Sequence, residues 1–335
     1  MAMTLAQAAY LSNDILQKGV ITRLIYNDPI LARLQFKDIL GNGLTYNVET
    51  TLSTASFYGV NETWTESTSA TTPTTATTTI LGGDADVDNF LKATRSDVND
   101  LMAEQIASKV RAIKHAFMNM FFYGYVTVDT KGFTGLHGLI NSTVVTYPNT
   151  SPVGASTVPT VTLSMSDVEK AVDMVKVGKS DLMVMSKGMR RYINKYLRGV
   201  GGVTYQDAGQ GRIQELFGIP VAISDEIADD ERAVTDYGPA SGTYEFGHAY
   251  TEGTVYTAGT TTGMATSIFI LQFAPEAVCG IQTGGTITAV PVAGNLETKD
   301  ATRTRIKWYP GVMLQNILTS SKVTGIATLT QTVAA

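Results

Sequence analysis

The run SDVNDLMAEQIASKVRAIKHAFMNMFFY, Ser96 to Tyr123, decides how the rest of the chain must be arranged. Its apolar side chains fall at Val98, Leu101, Met102, Ile106, Val110, Ile113, Phe117 and Phe121, the stagger that makes one stripe on an α-helix. Ser96 stands where a cap belongs and Gly124 where a helix stops. At 1.5 Å per residue such a helix reaches roughly 40 Å, more than twice an average globular helix. The segment before it is threonine-rich, and no Lys or Arg occurs between Lys37 and Lys92.

In that segment the turn Gly41-Asn42-Gly43 opens an alternation, with Leu44, Tyr46 and Val48 on one side and Thr45, Asn47 and Glu49 on the other. The chain then runs through TASFYGVNETWTESTSATTPTTATTTILGG and turns back toward the long helix. Threonine is β-prone and Pro73 belongs at an edge or tip, so the pattern predicts a long two-stranded arm. Composition alone also allows a disordered linker. A ribbon with so few apolar residues has no core of its own and must lie on something. Phe57, Tyr58 and Trp64 are the expected anchors, because aromatic side chains concentrate contact energy at interfaces.

Toward the N-terminus, Thr4 with Gln7 has capping-box spacing and Gly19 closes the helix they would start. VITRLIY stops at Asp28-Pro29, where proline disfavours a helical backbone in the preceding residue. ILARLQFKDIL then leads into the turn at residues 41–43.

Beyond the long helix, KGFTGLHGLI is turn-rich and residues 147–160 read as a surface connection. Ser166 with Glu169 predicts a capped helix over SDVEKAVDMVKVGK, followed by a buried strand DLMVM. Ser186 caps the helix KGMRRYINKYLR, so helix, strand and helix make a layered α/β piece. GVGGVTYQDAGQG reads as a mobile loop before a strand pair around IQELFGIPVAISD. TSIFILQF, AVCGIQ, GTITAVPV, RTRIKWYPGVMLQ and SSKVTGIATLT are strand-like runs separated by turn residues.

A chain of 335 residues can hold two domains or one elaborated domain. Its 16% charged residues fall below the usual quarter, as expected when much surface meets other protein. A net charge of -5 argues against a dedicated nucleic-acid binder, though not against a wall that faces nucleic acid. The lone Cys279 cannot form an internal disulfide and reads as a small buried hydrophobe. No signal peptide or membrane-spanning run is visible, which predicts a protein that is cytosolic where it is made.

Chemical motifs are weak. Gly178-Lys179-Ser180 follows a helix instead of preceding one, so its amides cannot cradle phosphate as a phosphate-binding loop does. Asp84, Asp86 and Asp88 begin like an EF-hand, but Asn89 and Arg95 stand where glycine and glutamate are needed. The cluster Asp225, Glu226, Asp229, Asp230 and Glu231 reads as loop charge, and His115, His137 and His248 lack zinc spacing. No nucleophile elbow or dinucleotide fingerprint is present. No catalytic residue, metal site or cofactor is assigned. Lys187, Arg190, Arg191, Lys195 and Arg198 make one helix basic on one side, which suits either solvent or an acidic neighbour.

The order of these parts, on LSNDILQKGVI, DPILARLQF, GNGLTYNVET, ILGGDADVD, GFTGLHGLI and LFGIPVAISD, resembles the tailed-phage major capsid proteins of HK97-like fold. The resemblance implies an α+β chain: an N-arm over 1–40, an E-loop hairpin over 41–92 and a P-domain spine helix over 93–133. An A-domain of mixed sheet flanked by helices would span 134–300, with C-terminal P-domain strands over 301–335. It further implies a homo-oligomer of hexamers and pentamers in an icosahedral shell around double-stranded DNA, held by non-specific contact, in a virion assembled in the host cytoplasm. The loop from Gly199 to Gly211 would lie near a capsomer axis. The E-loop has no lysine before Lys92, so noncovalent stabilisation is expected. The chain begins almost directly with the arm, which points to a separate scaffolding protein beside a portal and a decoration protein. Phe57, Tyr58, Trp64, Arg190, Arg191 and Arg198 are the expected inter-subunit contacts. Two alternatives are an encapsulin-like shell around protein cargo and an oligomeric α+β enzyme.

Overall fold

Residues 29–95, 101–126, 130–146, 163–200, 204–207, 212–227, 232–234, 245–247, 265–285, 287–292 and 299–327 are described by the computed structural model. The long helix spans Leu101–Tyr123, roughly 35 Å. Met102, Ile106 and Val110 are half-buried, whereas Ile113, Phe117, Met118, Phe121, Phe122 and Tyr123 are buried. The expected stripe therefore faces inward, and its second half carries the packing. Val98 and the expected cap Ser96 lie outside the described residues, as do the N-terminal helices. The helix ends at Tyr123, before Gly124, where a Cβ would sit 2.2 Å from the Phe133 carbonyl oxygen.

A wide seven-stranded sheet forms the body, in the order Val144–Thr146, Ser321–Ala327, Ala265–Leu271, Leu182–Met185, Ile219–Ile223, Arg212–Leu216, Thr204–Asp207. Its pairings are mixed, with 144–146 parallel to 321–327 and 182–185 parallel to 219–223. The strand LMVM, residues 182–185, is apolar throughout because both its faces are covered. Leu182 and Val184 join Phe269 and Leu271 on the side of the long helix. Met183 and Met185 join Ile268 and Ile270 on the side of the helices Met165–Asp173 and Lys187–Val200. Residues 321–327, which the boundaries above group with the spine helix, belong to this sheet.

Three local readings are corrected. The helix read as opening at Ser166 starts two residues earlier, with Ser164 as its N-cap and no side-chain cap bond. It stops at Asp173, because the Lys176 amide is taken by the Leu318 carbonyl at 3.0 Å. The glycine-rich stretch read as a mobile loop contains the helix end to Val200 and a strand, Thr204–Asp207, paired with 212–215. Ser186 caps as expected, its Oγ accepting from the Met189 amide at 3.1 Å.

Two smaller sheets carry the arm. Phe36–Ile39 runs parallel to Val278–Thr283, which pairs antiparallel with Pro310–Leu314. Leu81–Asp88 pairs along its full length with Ala301–Trp308, which also holds Thr288–Pro291. The inner face of that sheet, Ala85, Val87, Thr304 and Ile306, is buried, and the long helix packs against its strand 81–88. Its outer face is an ionic ladder. Arg303 grips Asp86 through two bonds of 2.7 Å, and Arg305 grips Asp84 at 2.8 and 3.0 Å. Asp88 accepts from the Phe90 amide at 2.8 Å and so caps the helix Asn89–Arg95. The alternating aspartates are thus cross-strand partners within the chain and a helix cap, neither a cation loop nor merely solvated carboxylates.

Between these sheets projects the ribbon, Gly43–Thr51 against Ala70–Thr77. Its root is seated: Leu44, Tyr46 and Ala76 pack on Ile39, Cys279, Ile281 and Met313. The Tyr46 hydroxyl donates to the Leu314 carbonyl at 3.0 Å, and burial pushes the phenol pKa up. A Cβ on Gly311 would lie 2.5 Å from the Thr77 carbonyl oxygen.

Two outcomes follow from these contacts. Tyr46→Phe should cost about 1 kcal/mol by losing a half-buried hydrogen bond, and Gly311→Ala about 1–3 kcal/mol by overpacking, both read by urea denaturation of the unassembled chain. The hydrogen bonds from Arg305 and Arg303 hold the Asp84 and Asp86 carboxyls below the ordinary value of 3.8. Their contribution is therefore complete above about pH 4 and is lost as pH falls through the lowered values. The double variant Asp84→Asn, Asp86→Asn should show a shallower fall of thermal midpoint below pH 4 than the wild type. An equally steep fall would show that the ladder contributes no pH dependence.

Candidate assembly interface

The ribbon's apolar side does not end where the body ends. Leu44, Tyr46 and Val48 alternate along one face, but only the first two reach the body's hydrophobic cluster. Beyond them the face overhangs and continues into the tip, residues 52–69, which has no strand pairing.

The tip is shaped by its own polar bonds. Tyr58 and Trp64 stack at 4.6 Å between ring centroids with 14° between planes. The Thr65 amide donates to the Tyr58 hydroxyl at 3.0 Å, and the Ser67 hydroxyl donates to the Thr54 carbonyl at 2.7 Å. Hydrogen bonds with Thr65 lower the Tyr58 phenol from its ordinary value. Asn61 turns the chain with φ of 66°, a conformation asparagine tolerates.

Of the expected contact residues, Tyr58 and Trp64 come together, while Phe57 stands apart and fully exposed. Trp64 keeps 79% of its surface despite the stack. Arg190 lies half-buried on its helix; Arg191 and Arg198 lie on the exposed side with Lys195. Lys187, on the same side, pairs with Asp225 at 2.7 Å. Glu226 is buried and faces His115 at 3.4 Å, so the described part of the acidic cluster is internally engaged. Residues 229–231 lie outside the described residues.

Leu52 and Val60 also stand exposed in the tip, and Leu40 and Ile80 flank the root. They were not singled out from sequence, although an apolar residue on each side of a turn-and-ribbon segment is a readable signal. Seven of the large exposed apolar side chains, Leu40, Leu52, Phe57, Val60, Trp64, Ile80 and Phe90, fall between residues 40 and 90. That concentration is what a surface awaiting a partner looks like. The segment's only ionised side chains from 41 to 80 are Glu49, Glu62 and Glu66, so the covering surface is neutral or basic.

Other chemistry is sparse. Among the described residues no three His, Cys, Asp or Glu side chains converge to hold a metal ion. Cys279 is buried and its thiol is pushed up by desolvation. Gly178 adopts φ of 78° in a bend beside Gln272, five residues beyond the helix end at Asp173, so it does not itself stop that helix. No helix among the described residues is long and apolar enough to cross a membrane.

No family model matches the chain, and no curated protein matches it. Solved structures do. The holo-SrpI encapsulin complex from Synechococcus elongatus PCC 7942 aligns with a TM-score of 0.66 at 10% identity, covering 98% of both chains. The capsid of an empty GTA particle aligns at 0.60 with 12% identity, over 97% of this chain and 98% of that one. The capsid of the cyanophage P-SCSP1u aligns at 0.56 with 12% identity, over 94% and 92%. At such identities the likeness speaks for architecture, and with the spine helix, mixed sheet and projecting ribbon in place the chain has the HK97-like capsid fold.

Proposed function

We propose that this chain is the major capsid protein of a tailed bacteriophage, assembling as hexamers and pentamers into an icosahedral head around double-stranded DNA. The observation that carries the proposal is the ribbon: an arm rooted in the body whose overhang and tip expose Leu52, Phe57, Val60 and Trp64. An isolated monomer gains nothing from such an arm, and a shell gains an interface at every copy. The outward side of the spine helix carries Ala107, Ser108, Ala112 and Ala116, all exposed, short side chains over which a neighbour's ribbon can lie closely.

On this reading residues 1–40 are the N-arm, 41–92 the E-loop, 93–133 the spine segment, 134–300 the A-domain and 301–335 the closing strands. The ribbon proper is then the part of the E-loop that leaves the body. Arg190, Arg191 and Arg198 face neighbouring copies, scaffolding protein and portal act as separate partners, and DNA meets the inner wall without sequence readout. The virion is its final location and the host cytoplasm its place of assembly.

A second reading, an encapsulin-like shell around protein cargo, is favoured by the TM-score of 0.66 with the encapsulin. The structures named above are capsids or an encapsulin, so an enzyme of this fold has the least support.

Deletion of residues 53–67, joining the ribbon strands by a short turn, should reduce particle yield at least tenfold in sedimentation while circular dichroism of the unassembled chain stays native. Trp64→Ala should do the same to a lesser degree. Particles at wild-type yield from the deletion would reject the arm's role. Negative-stain images of particles made with the chain's own genome neighbours separate the two readings: enclosed DNA supports the phage head, and nuclease-insensitive protein cargo supports the encapsulin-like shell.

A further inference from the structure

The two long edges of the ribbon are not equivalent. The Thr78 amide donates to the Asn42 carbonyl at 3.0 Å, and residues 42 and 78 continue the register Gly43↔Thr77, Leu44↔Ala76 through Asn47↔Pro73. In an antiparallel pair hydrogen-bonded and non-hydrogen-bonded positions alternate. Even-numbered residues from 42 to 48 therefore bond across the ribbon, and the amides and carbonyls of Thr45 and Asn47 point outward. On the other strand Pro73, Thr75 and Thr77 point outward.

The outer edge of Ala70–Thr77 is interrupted at Pro73 and occupied at its root. Pro73 has no amide to offer there. The Thr77 carbonyl lies against Gly311, and the next outward amide, Thr79, donates to the Pro310 carbonyl at 2.9 Å. The outer edge of Gly43–Thr51 is open: among the described residues this strand pairs with one neighbour only, and Thr45, Asn47 and Glu49 are exposed.

We infer that this open edge pairs antiparallel with the same edge of a second copy of the chain, making a four-stranded sheet across a two-fold axis. The inference rests on the shell reading only in requiring a second copy at the arm. Like edges match because each strand offers and accepts in the same rhythm, which is what an isologous contact needs. Charge excludes the register centred on Glu49. Glu49 is the strand's only ionised residue. Centring on Asn47 sets each Glu49 opposite Thr45 of the other copy, carboxylate against hydroxyl, whereas centring on Glu49 would oppose two like charges. The outer edges, interrupted by Pro73 and occupied at their roots, then disfavour a fifth strand.

The test uses single cysteines in full-length assembled particles, with wild-type particles as the blank because Cys279 is buried. Asn47→Cys should give a species of twice the subunit mass on a non-reducing gel after mild oxidation, since directly opposed residues lie about 5.5 Å apart, within disulfide reach. Particles mixed from Thr45→Cys and Glu49→Cys chains should link, and neither alone should link as well. Asn47→Pro removes an outward amide and leaves the ribbon's own ladder, so it should reduce particle yield at least tenfold. Well-formed Asn47→Cys particles that show no such link, or whose only disulfide mass mapping places on Cys279 or on another protein, would overturn the inference and leave the shell reading standing. A wild-type chain that stays monomeric at every concentration would overturn both.

Discussion

The packing of Phe117 against Trp308, Phe36 and Phe133 joins four segments that the sequence keeps far apart. Ring centroids lie 4.7, 5.9 and 5.6 Å from it, and Phe117 has no exposed surface. The contact ties the spine helix to the returning strand 301–308, to the parallel strand 36–39 and to the turn after the helix. Removing such a ring from a core costs about 3–5 kcal/mol, a large part of a typical folding free energy of about 5–15 kcal/mol. The solvent-screened ladder of Asp84, Asp86, Arg303 and Arg305 cannot match that, so it aligns the arm's base where the aromatic knot holds it. Gly280 makes the knot possible, because a Cβ there would fall 2.5 Å from the Phe36 ring.

The knot also explains why the arm has a fixed root. Phe36 begins the strand that ends at Ile39, four residues before the ribbon, and Trp308 precedes the strand 310–314 on which the ribbon's root rests. Gln282 stitches the two ends, donating to Asp38 at 2.7 Å and accepting from the Trp308 indole at 3.3 Å. Direction is therefore set at the root by buried, specific contacts, while the overhang has none. A two-stranded ribbon without a third strand or a covered face is marginal in water. At its far end the described contacts are the Tyr58–Trp64 stack and the bonds at Thr65 and Ser67.

Much of the fold was legible because periodicity reports which faces are covered. The spine helix, the doubly buried run LMVM and the six strands of the C-terminal runs appear where their patterns predict, although 288–291 is exposed throughout. What was not legible is pairing at long range. Asp84 and Arg305 stand 221 positions apart, and nothing local in DADVD distinguishes a carboxylate awaiting arginine from one awaiting a cation. Ser166 misled for a related reason: Leu163 and Val168 are both buried in the same cluster, and that packing starts the helix at Met165 ahead of the better local cap. In the arm, sequence identified Tyr58 and Trp64 without their stack, and missed Leu52 and Val60, whose importance lies only in being left uncovered.

Edge asymmetry bears on how a chain with so much β-propensity outside its core limits unspecific strand pairing. Threonine-rich strands with unsatisfied edges are aggregation hazards, and proteins usually blunt them with proline, charge or a covering element. Here the strand 70–77 is blunted twice, by Pro73 and by its seat on 310–314, and the short edge strand 288–291 ends in Pro291. The strand 43–51 carries no proline. Leaving one edge unprotected among several protected ones is difficult to explain as neglect, since the same device was at hand nearby. It is the arrangement expected when one edge must stay reactive toward a single kind of partner and every other edge must not.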